Sequence, residues 1–479
     1  MKKNILIYSA PQLWSSHLKG SLEIACRNLT LNNNVFFLNC DKSLSSCPAN
    51  HEKSFLKCVL CRNEQSYVIK KFFDGKVKNI DLKLKYQIKN FTFKDYNDFK
   101  NFKLYNVPFG NLISSELTTF FRNDYINYDD IKKIIDIKLS NAISLYRKSI
   151  DVIKKNKIDE VYVWNGRRST DGPVIYAARK LNKKFFSFIS SIDGTKLIIR
   201  ESEKVHSISS ITKEIKLIDF KKEFNSEKSK KIKIEKISNK LFLGKKLSTI
   251  LRGFEPVKKN LKKIDIYSKK PILTIFTSTL WEFSSLGREW DIIFDKKKYT
   301  LISILDYLIN HYEIIKKFKI VIKWHPNHNT ASSTEIFLID KFISKNKHVT
   351  HLYSKKIDPY HLAKKSSKII TFGSTLAAEV AYKYKIKSIL IGSAYYKYLD
   401  FTVLCTNLTH LKKILKSNLK LSNKGYLDSQ KYLYWLDNRG AKPLINLNHF
   451  LKNSSVDFNS KLKKMILFLK SLLSNFYKK

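Results

Sequence analysis

Two series of short apolar strands, each strand followed by an amphipathic helix, with a Lys-rich stretch between the series, predict an α/β chain of two Rossmann-like domains with parallel sheets. The length agrees: 479 residues exceed what one hydrophobic core comfortably serves. A hydrophobic content of 43%, with 31 Phe and 25 Tyr, fills two cores and excludes a disordered chain. The expected division is 1–202 for the first domain, 203–264 for a Lys-rich linker or helical insertion, 265–430 for the second domain and 431–479 for a helical tail.

In the first series, Ile5–Tyr8 is an apolar run closed by Ser9-Ala10-Pro11, Leu18–Leu29 has helical spacing, and Val35–Leu38 follows the turn at Asn32-Asn33-Asn34. Runs without polar alternation are the mark of strands buried on both faces. Residues 62–130 mix aromatics and Lys without a clean period. Order resumes with a helix near 130–155, a strand at Glu160–Trp164, a helix from Pro173 to Leu181 and a strand at Phe185–Ile189. The second series has strands at Ile272–Phe276, Ile320–Lys323, Val349–Tyr353, Ile369–Phe372 and Ser388–Ile391. Its helices are expected at Leu301–Lys317, Pro359–Lys365 and Leu376–Lys383. Residues 459–477 carry an amphipathic basic pattern that suits either a membrane surface or packing on the protein itself.

The formal charge is +49, yet it comes from 79 Lys against 11 Arg spread along the chain. Base-edge and bidentate phosphate recognition favour Arg, so the balance argues against specific nucleic-acid binding. It does predict attraction to anionic lipid, glycans and nucleotides. No apolar stretch reaches the roughly 18–20 residues of a membrane span, and the apolar run at the N-terminus is too short for a signal peptide. The expectation is a cytoplasmic protein, with contact to the inner face of the membrane as an option.

Ligands of such sheets bind at the carboxyl ends of the strands, and four segments there carry chemistry. Lys323-Trp324-His325-Pro326 ends a strand with a His whose ring leaves the sheet at its edge, placed to meet a phosphate and, as imidazolium, charge growing on a leaving nucleotide. Thr371-Phe372-Gly373-Ser374-Thr375 passes from strand to helix, with Ser374 as the natural N-cap, and the helix N–H groups suit a phosphate. Glu379, five residues after Ser374, suits ribose hydroxyls. Thr277-Ser278 with Glu282 close behind repeats the theme after the first strand of that series. In the first domain, Asn165-Gly166-Arg167 leads to Asp171, and Asp193-Gly194 follows the next strand, which reads as an acceptor-side rim. A transferase needs a carboxylate there to take the acceptor proton: Asp193 is the first choice, Asp171 and Glu282 the others. Cys58 and Cys61 have the spacing of a zinc knuckle and Cys40 and Cys47 would complete four thiolates, a pattern shared by structural zinc and by free buried thiols. Neither half offers an Asp-x-Asp pattern, so no catalytic metal is expected.

Trp-Asn-Gly-Arg (164–167), Phe-Thr-Ser-Thr-x-x-Glu-Phe (276–283), Leu-Gly-x-Glu-Trp (286–290), Trp-His-Pro-Asn (324–327) and Thr-Phe-Gly-Ser-Thr-x-x-x-Glu-x-Ala (371–381) together resemble the capsule-polysaccharide glycosyltransferases. That group is similar in pattern to the capsular Kdo transferases and to bacterial sialyltransferases with a His-Pro motif. The resemblance runs from residue 1 to about 400, apart from 65–130, and implies a GT-B fold with two parallel sheets facing across a cleft. It implies a nucleotide-sugar co-substrate, with a CMP-sugar favoured, held by His325, Ser374 and Thr375. It implies a polysaccharide or lipid-linked glycan as acceptor. Asp193-Gly194 matches the sialyltransferase base motif only in part. Two other readings stay open: a nucleotide-sugar epimerase of the same fold, and a non-enzymatic basic protein that binds a membrane surface or nucleic acid.

Overall fold

A computed structural model of the chain describes residues 2–8, 10, 15–50, 53–85, 91–123, 126–190, 196–242, 262–264, 266–294, 297–298, 300–325, 332–353, 357–442 and 444. The first sheet contains β1 (Asn4–Tyr8), β2 (Asn34–Asn39), β3 (Val77–Asp81), β4 (Glu160–Trp164), β5 (Lys184–Ser190) and β6 (Leu197–Arg200), in the order β3-β2-β1-β4-β5-β6. All neighbours are parallel except β5 and β6. Its helices are α1 (Ser15–Thr30), α2 (Phe55–Phe73), α3 (Tyr96–Asn101), α4 (Phe109–Phe121), α5 (Tyr128–Lys155) and α6 (Gly172–Lys180).

The unbroken apolar runs have the cause expected of them. Leu6 and Tyr8 join Phe36, Leu38, Val161 and Val163 in the core beneath α4, α5 and α6. Ile5 and Ile7 point the other way, into a second core with Val35, Phe37 and the α1 residues Leu18 and Leu22. A strand covered on both faces has no position for a polar side chain, which removes the alternation.

Between the domains the chain forms α7 (Ile208–Lys216), α8 (Phe220–Glu223) and α9 (Glu227–Phe242). The second sheet then contains β7 (Ile272–Phe276), a short hairpin β8 (Ile293–Phe294) and β9 (Lys297–Lys298) outside the sheet proper, β10 (Lys319–Lys323), β11 (Thr350–Leu352), β12 (Lys368–Thr371), β13 (Ser388–Ile391) and β14 (Thr402–Cys405). Its order, β11-β10-β7-β12-β13-β14, repeats the first sheet's topology with every neighbour parallel. The helices are α10 (Leu280–Ser284), α11 (Leu301–Asn310), α12 (Tyr312–Lys317), α13 (Ser333–Lys345), α14 (Pro359–Lys365), α15 (Leu376–Tyr384), α16 (Leu408–Lys416) and α17 (Asn423–Asn438). Two doubly wound parallel sheets in one chain are the plan expected of a GT-B protein.

The stretch expected as a linker or helical insertion is helical where described and carries part of a core. Ile211, Ile215, Phe220, Ile234, Ile237 and Leu241 pack against Ala377, Ala381, Tyr382, Tyr432 and Trp435 of the second domain. The tail boundary at 431 also falls inside α17, whose buried Tyr432, Trp435 and Leu436 complete the same core. Beyond α17 the chain returns to the first domain: Ala441 pairs with Leu197 on β6, and Leu444 N–H donates to Glu23 (2.7 Å). The amphipathic stretch at 459–477 lies outside the described residues. No helix among those described is long and apolar enough to cross a membrane.

Candidate functional site

In a sheet of this order the strand sequence reverses direction between its first and fourth strands, which opens a crevice at their carboxyl ends. In the second domain that crevice lies between β7 and β12, where Thr277-Ser278 and Gly373-Ser374 emerge. The loop after β10 is tied to the loop after β7: Thr277 N–H donates to the Lys323 carbonyl (3.1 Å), and His325 N–H donates to Thr277 Oγ1 (2.9 Å). Thr279, beside them, is fully buried, and its hydroxyl has no partner among the described residues.

Gly373 has φ +111°, and a Cβ there would stand 2.9 Å from Phe283 Cζ and 2.9 Å from the Ser393 carbonyl oxygen. Only glycine lets the backbone pass so close to both loops. Ser374 is then fixed on three sides. Its N–H donates to Thr371 Oγ1 (3.0 Å), its Oγ accepts from Leu376 N–H (3.3 Å), and its carbonyl accepts from Tyr396 Oη (2.6 Å). The N-cap of α15 is Thr375, one residue later than expected, because Ser374 still belongs to the turn. Glu379 differs more. It is 2% exposed and accepts the Tyr360 hydroxyl, so its carboxylate serves the packing of α14 on α15 instead of facing the crevice. Burial raises its pKa.

His325 is the expected phosphate partner, but the structure changes its charge state. Burial and then the neighbouring Lys323 push its pKa down to about 4, so the imidazole is neutral at pH 7 and not the imidazolium expected. Burial likewise lowers Lys323 to about 8, and its Nζ donates to the Trp324 carbonyl (3.2 Å). A bound phosphate would favour the charged forms of both. The expected result of an NMR titration is a His325 pKa near 4 in the free protein that rises when a nucleotide binds; a free value of 6 or above contradicts the burial seen here. Because the folded pKa lies below the ordinary 6.5, the unfolded chain takes up the proton first. The contribution to stability is therefore complete above pH 6.5 and falls as pH drops from 6.5 to 4, by about 3 kcal/mol in total. Pro326 lies outside the described residues.

The first sheet has its own crevice between β1 and β4, and the loop at 165–171 leaves β4 there. Asn165 (φ 61°) and Gly166 (φ 78°) turn the chain sharply after β4. Arg167 follows, 7% exposed, and its guanidinium donates to Ser115 Oγ (2.9 Å) on α4 and to the Ser285 carbonyl of the second domain. The Ser115 hydroxyl donates to that same carbonyl, so the two domains touch through Arg167, Ser115 and Ser285. Burial lowers the pKa of Arg167, which remains a cation at neutral pH. A second cross-domain contact joins Lys100 on α3 to Asp291 (3.4 Å).

Asp171 sits at the N-terminus of α6, fully buried. Its Oδ1 accepts the Arg168 N–H (2.6 Å), while Oδ2 has no partner among the described residues. Burial pushes its pKa up to about 7, against the pull of Arg168 and Arg167. Close by, Glu116 and Lys138 form a buried ion pair (2.5 Å), each side chain 2% exposed. Lys138 also donates to Ser46 Oγ (2.9 Å), and Ser169 donates to Glu116. Glu282 lies in the first turn of α10. Asp193 lies outside the described residues.

Sequence reading did not single out Ser115, Glu116, Lys138 or Ser285. One signal was present: Asn111, Ser114, Ser115, Glu116 and Thr118 interrupt an otherwise apolar helix, and every one is buried. Polar residues in a buried helix need partners, which points to a network. Among the described residues no group of three or more His, Cys, Asp or Glu is placed to hold a metal ion. Cys40, Cys47, Cys58 and Cys61 are free thiols, and Cys58 accepts from Asn50 Nδ2 (3.1 Å). Burial pushes Cys40 up to about 11 and Cys47 to about 12, so both stay protonated.

No protein-family model and no curated protein sequence matches the chain. Solved structures align along most of its length. UDP-GlcNAc 2-epimerase from Neisseria meningitidis, bound to UDP-GlcNAc, covers 91% of this chain and 99% of its own, at 11% identity and a TM-score of 0.24. CalG4, the calicheamicin glycosyltransferase, covers 91% and 94%, at 8% identity and a TM-score of 0.23. Arabidopsis thaliana UGT89C1 complexed with UDP covers 95% and 99%, at 10% identity and a TM-score of 0.27. At such identities and scores the likeness carries no argument about reaction, donor or acceptor.

Proposed function

We propose that the protein is a glycosyltransferase that moves a sugar from a nucleotide-sugar donor to a capsule or other cell-envelope glycan, polymeric or lipid-linked. The observation that carries this reading is the opposition of two strand-end rims, one rich in hydroxyl and glycine residues and one bearing Arg167 and Asp171, joined at the Arg167–Ser285 contact. The donor phosphate takes Ser374, Thr375 and the first N–H groups of α15, with Thr277, Ser278 and His325 on its other side. The His-Pro pattern at His325 favours a CMP-sugar. In this reading transfer inverts the sugar and needs no metal, because leaving-group charge falls on His325, Lys323 and the helix terminus. The excess of Lys favours work at an anionic membrane surface over binding of a specific nucleic acid.

Among the described first-domain carboxylates, Asp171 fits the base: one oxygen is fixed, the other lacks a partner, and its raised pKa suits proton abstraction near neutrality. Asp171→Asn is expected to cut transfer at least a hundredfold while leaving nucleotide binding intact, and the wild-type rate is expected to rise with pH through about 7. The assay follows consumption of CMP- and UDP-sugars with and without a cell-envelope glycan, and includes Asp193→Asn and Glu282→Gln. Loss of transfer in Asp193→Asn alone moves the base to Asp193. Interconversion of a UDP-sugar without any acceptor replaces the transferase reading with that of an epimerase.

A further inference from the structure

A cavity of about 450 Å³ opens at the carboxyl ends of β13 and β14, and the donor reading above gives it no part. Its wall includes Asp291, Gly392, Lys397, Leu404, Thr406 and Asn407. We infer that this cavity is a carbohydrate subsite that grips a pyranose unit of the acceptor glycan away from the point of transfer; the inference rests on the transferase reading.

The lining selects the ligand class. The lining includes a carboxylate, an ammonium group, a hydroxyl and an amide beside Leu404, so it offers both donors and acceptors to a ring of hydroxyls. Among the described residues no aromatic ring lines the cavity to stack on a nucleobase, and the one carboxylate among them is too few for a metal cage. The volume suits one or two sugar rings. The polar groups are held in place: Lys397 Nζ donates to Ser393 Oγ (3.1 Å), and Asp291 is paired with Lys100 of the first domain (3.4 Å). Asn407 is pinned as the N-cap of α16, its side chain accepting the His410 N–H (2.6 Å).

Position separates this subsite from the donor. The phosphate loop follows β12, and neighbouring strands stand about 4.8 Å apart, so the space between β13 and β14 lies about 5–10 Å further along the sheet edge. β14 is the edge strand, and Thr406 and Ile293 on the cavity rim are exposed. The Lys100–Asp291 pair brings the first domain to the same wall.

The test is saturation-transfer NMR on the full chain with N-acetylglucosamine, galactose and glucuronic acid, using wild type, Thr406→Trp and Lys397→Met, each with and without excess CMP or UDP. Thr406 is exposed, so the tryptophan fills the cavity without disturbing a core, and nucleotide-induced thermal shifts report that the donor site is intact. Transfer to pyranose protons in wild type that falls at least fivefold in Thr406→Trp, falls in Lys397→Met, and is unaffected by nucleotide is the expected result. Absence of transfer from all three sugars, transfer that survives in Thr406→Trp, or sugar displaced by nucleotide each overturns the subsite. A missing nucleotide shift in wild type is a separate readout and strikes the donor reading instead.

Discussion

Gly166→Ala is expected to destabilise the first domain by about 3 kcal/mol or more and to abolish transfer. A Cβ at this position would stand 1.9 Å from the Glu203 carbonyl oxygen and 2.7 Å from Ile175 Cδ1. The carbonyl belongs to backbone and has no rotamer through which to retreat. The residue also has φ +78°, next to Asn165 at φ 61°, so the turn after β4 uses two successive left-handed residues and alanine adds strain to the clash. To relieve both, the 165–168 turn must move, and Arg167 moves with it away from Ser115 and Ser285. Chemical denaturation read through first-domain tryptophan fluorescence, together with a transfer assay, checks the result. A loss below 1 kcal/mol with full activity would show that the turn yields easily and that the rim is not built around this glycine.

The second large effect is at Glu116. Its carboxylate is buried with Lys138 at 2.5 Å, and the pair carries the serines at 46 and 169 with it. Burial alone would raise the pKa of Glu116, but the Lys138 charge and the hydrogen bonds from Lys138 and Ser169 outweigh it and hold the pKa below the ordinary value. The stability this pair supplies is therefore complete above the unfolded carboxyl pKa and is lost as pH falls through the lower folded one. Glu116→Gln leaves a buried ammonium without its counter-charge, and the expected loss is about 3–5 kcal/mol. The double variant Glu116→Leu with Lys138→Met removes both charges, and it is expected to be more stable than Glu116→Gln. Additive losses across Glu116→Leu, Lys138→Met and the double variant would mean that the two groups act separately.

Much of the fold was legible in the sequence for a plain reason. Glu160–Trp164, Ile272–Phe276, Pro359–Lys365 and Ser388–Ile391 fall where expected, because strands covered on both faces and a helix opened by proline leave strong local signals. β3 left none. Its Val-Lys-Asn-Ile-Asp is an edge strand with Lys78 and Asn79 exposed, so no apolar run marks it. The helix expected over Leu301–Lys317 is broken at His311, whose ψ of 114° ends α11 and starts α12. The stretch at 203–264 left linker and helical insertion open because Lys dominates its composition. Ile211, Ile215, Ile234 and Ile237 are nonetheless spaced for one helical face each, and that face belongs to the second core.

The candidate site was legible at its loops and hidden in its contacts. Gly-Ser after β12, His-Pro after β10 and Asn-Gly-Arg after β4 announce themselves through backbone requirements that few residues meet. The meeting of Arg167 with Ser285, or of Glu116 with Lys138, depends on how helices and domains pack, which no local spacing encodes. Glu379 shows the reverse error: its place five residues after Ser374 suggested a ribose, but the helix turns that side chain inward to Tyr360.

The proposed function requires that a nucleotide occupy the crevice between β7 and β12 and meet His325. Thermal shift with CMP, UDP, GDP and their sugars, on wild type and His325→Ala, tests it most directly. Stabilisation by one nucleotide series, with CMP favoured, that disappears in the variant is the expected result. No shift from any of them at millimolar concentration, or a shift unchanged in His325→Ala, would contradict it.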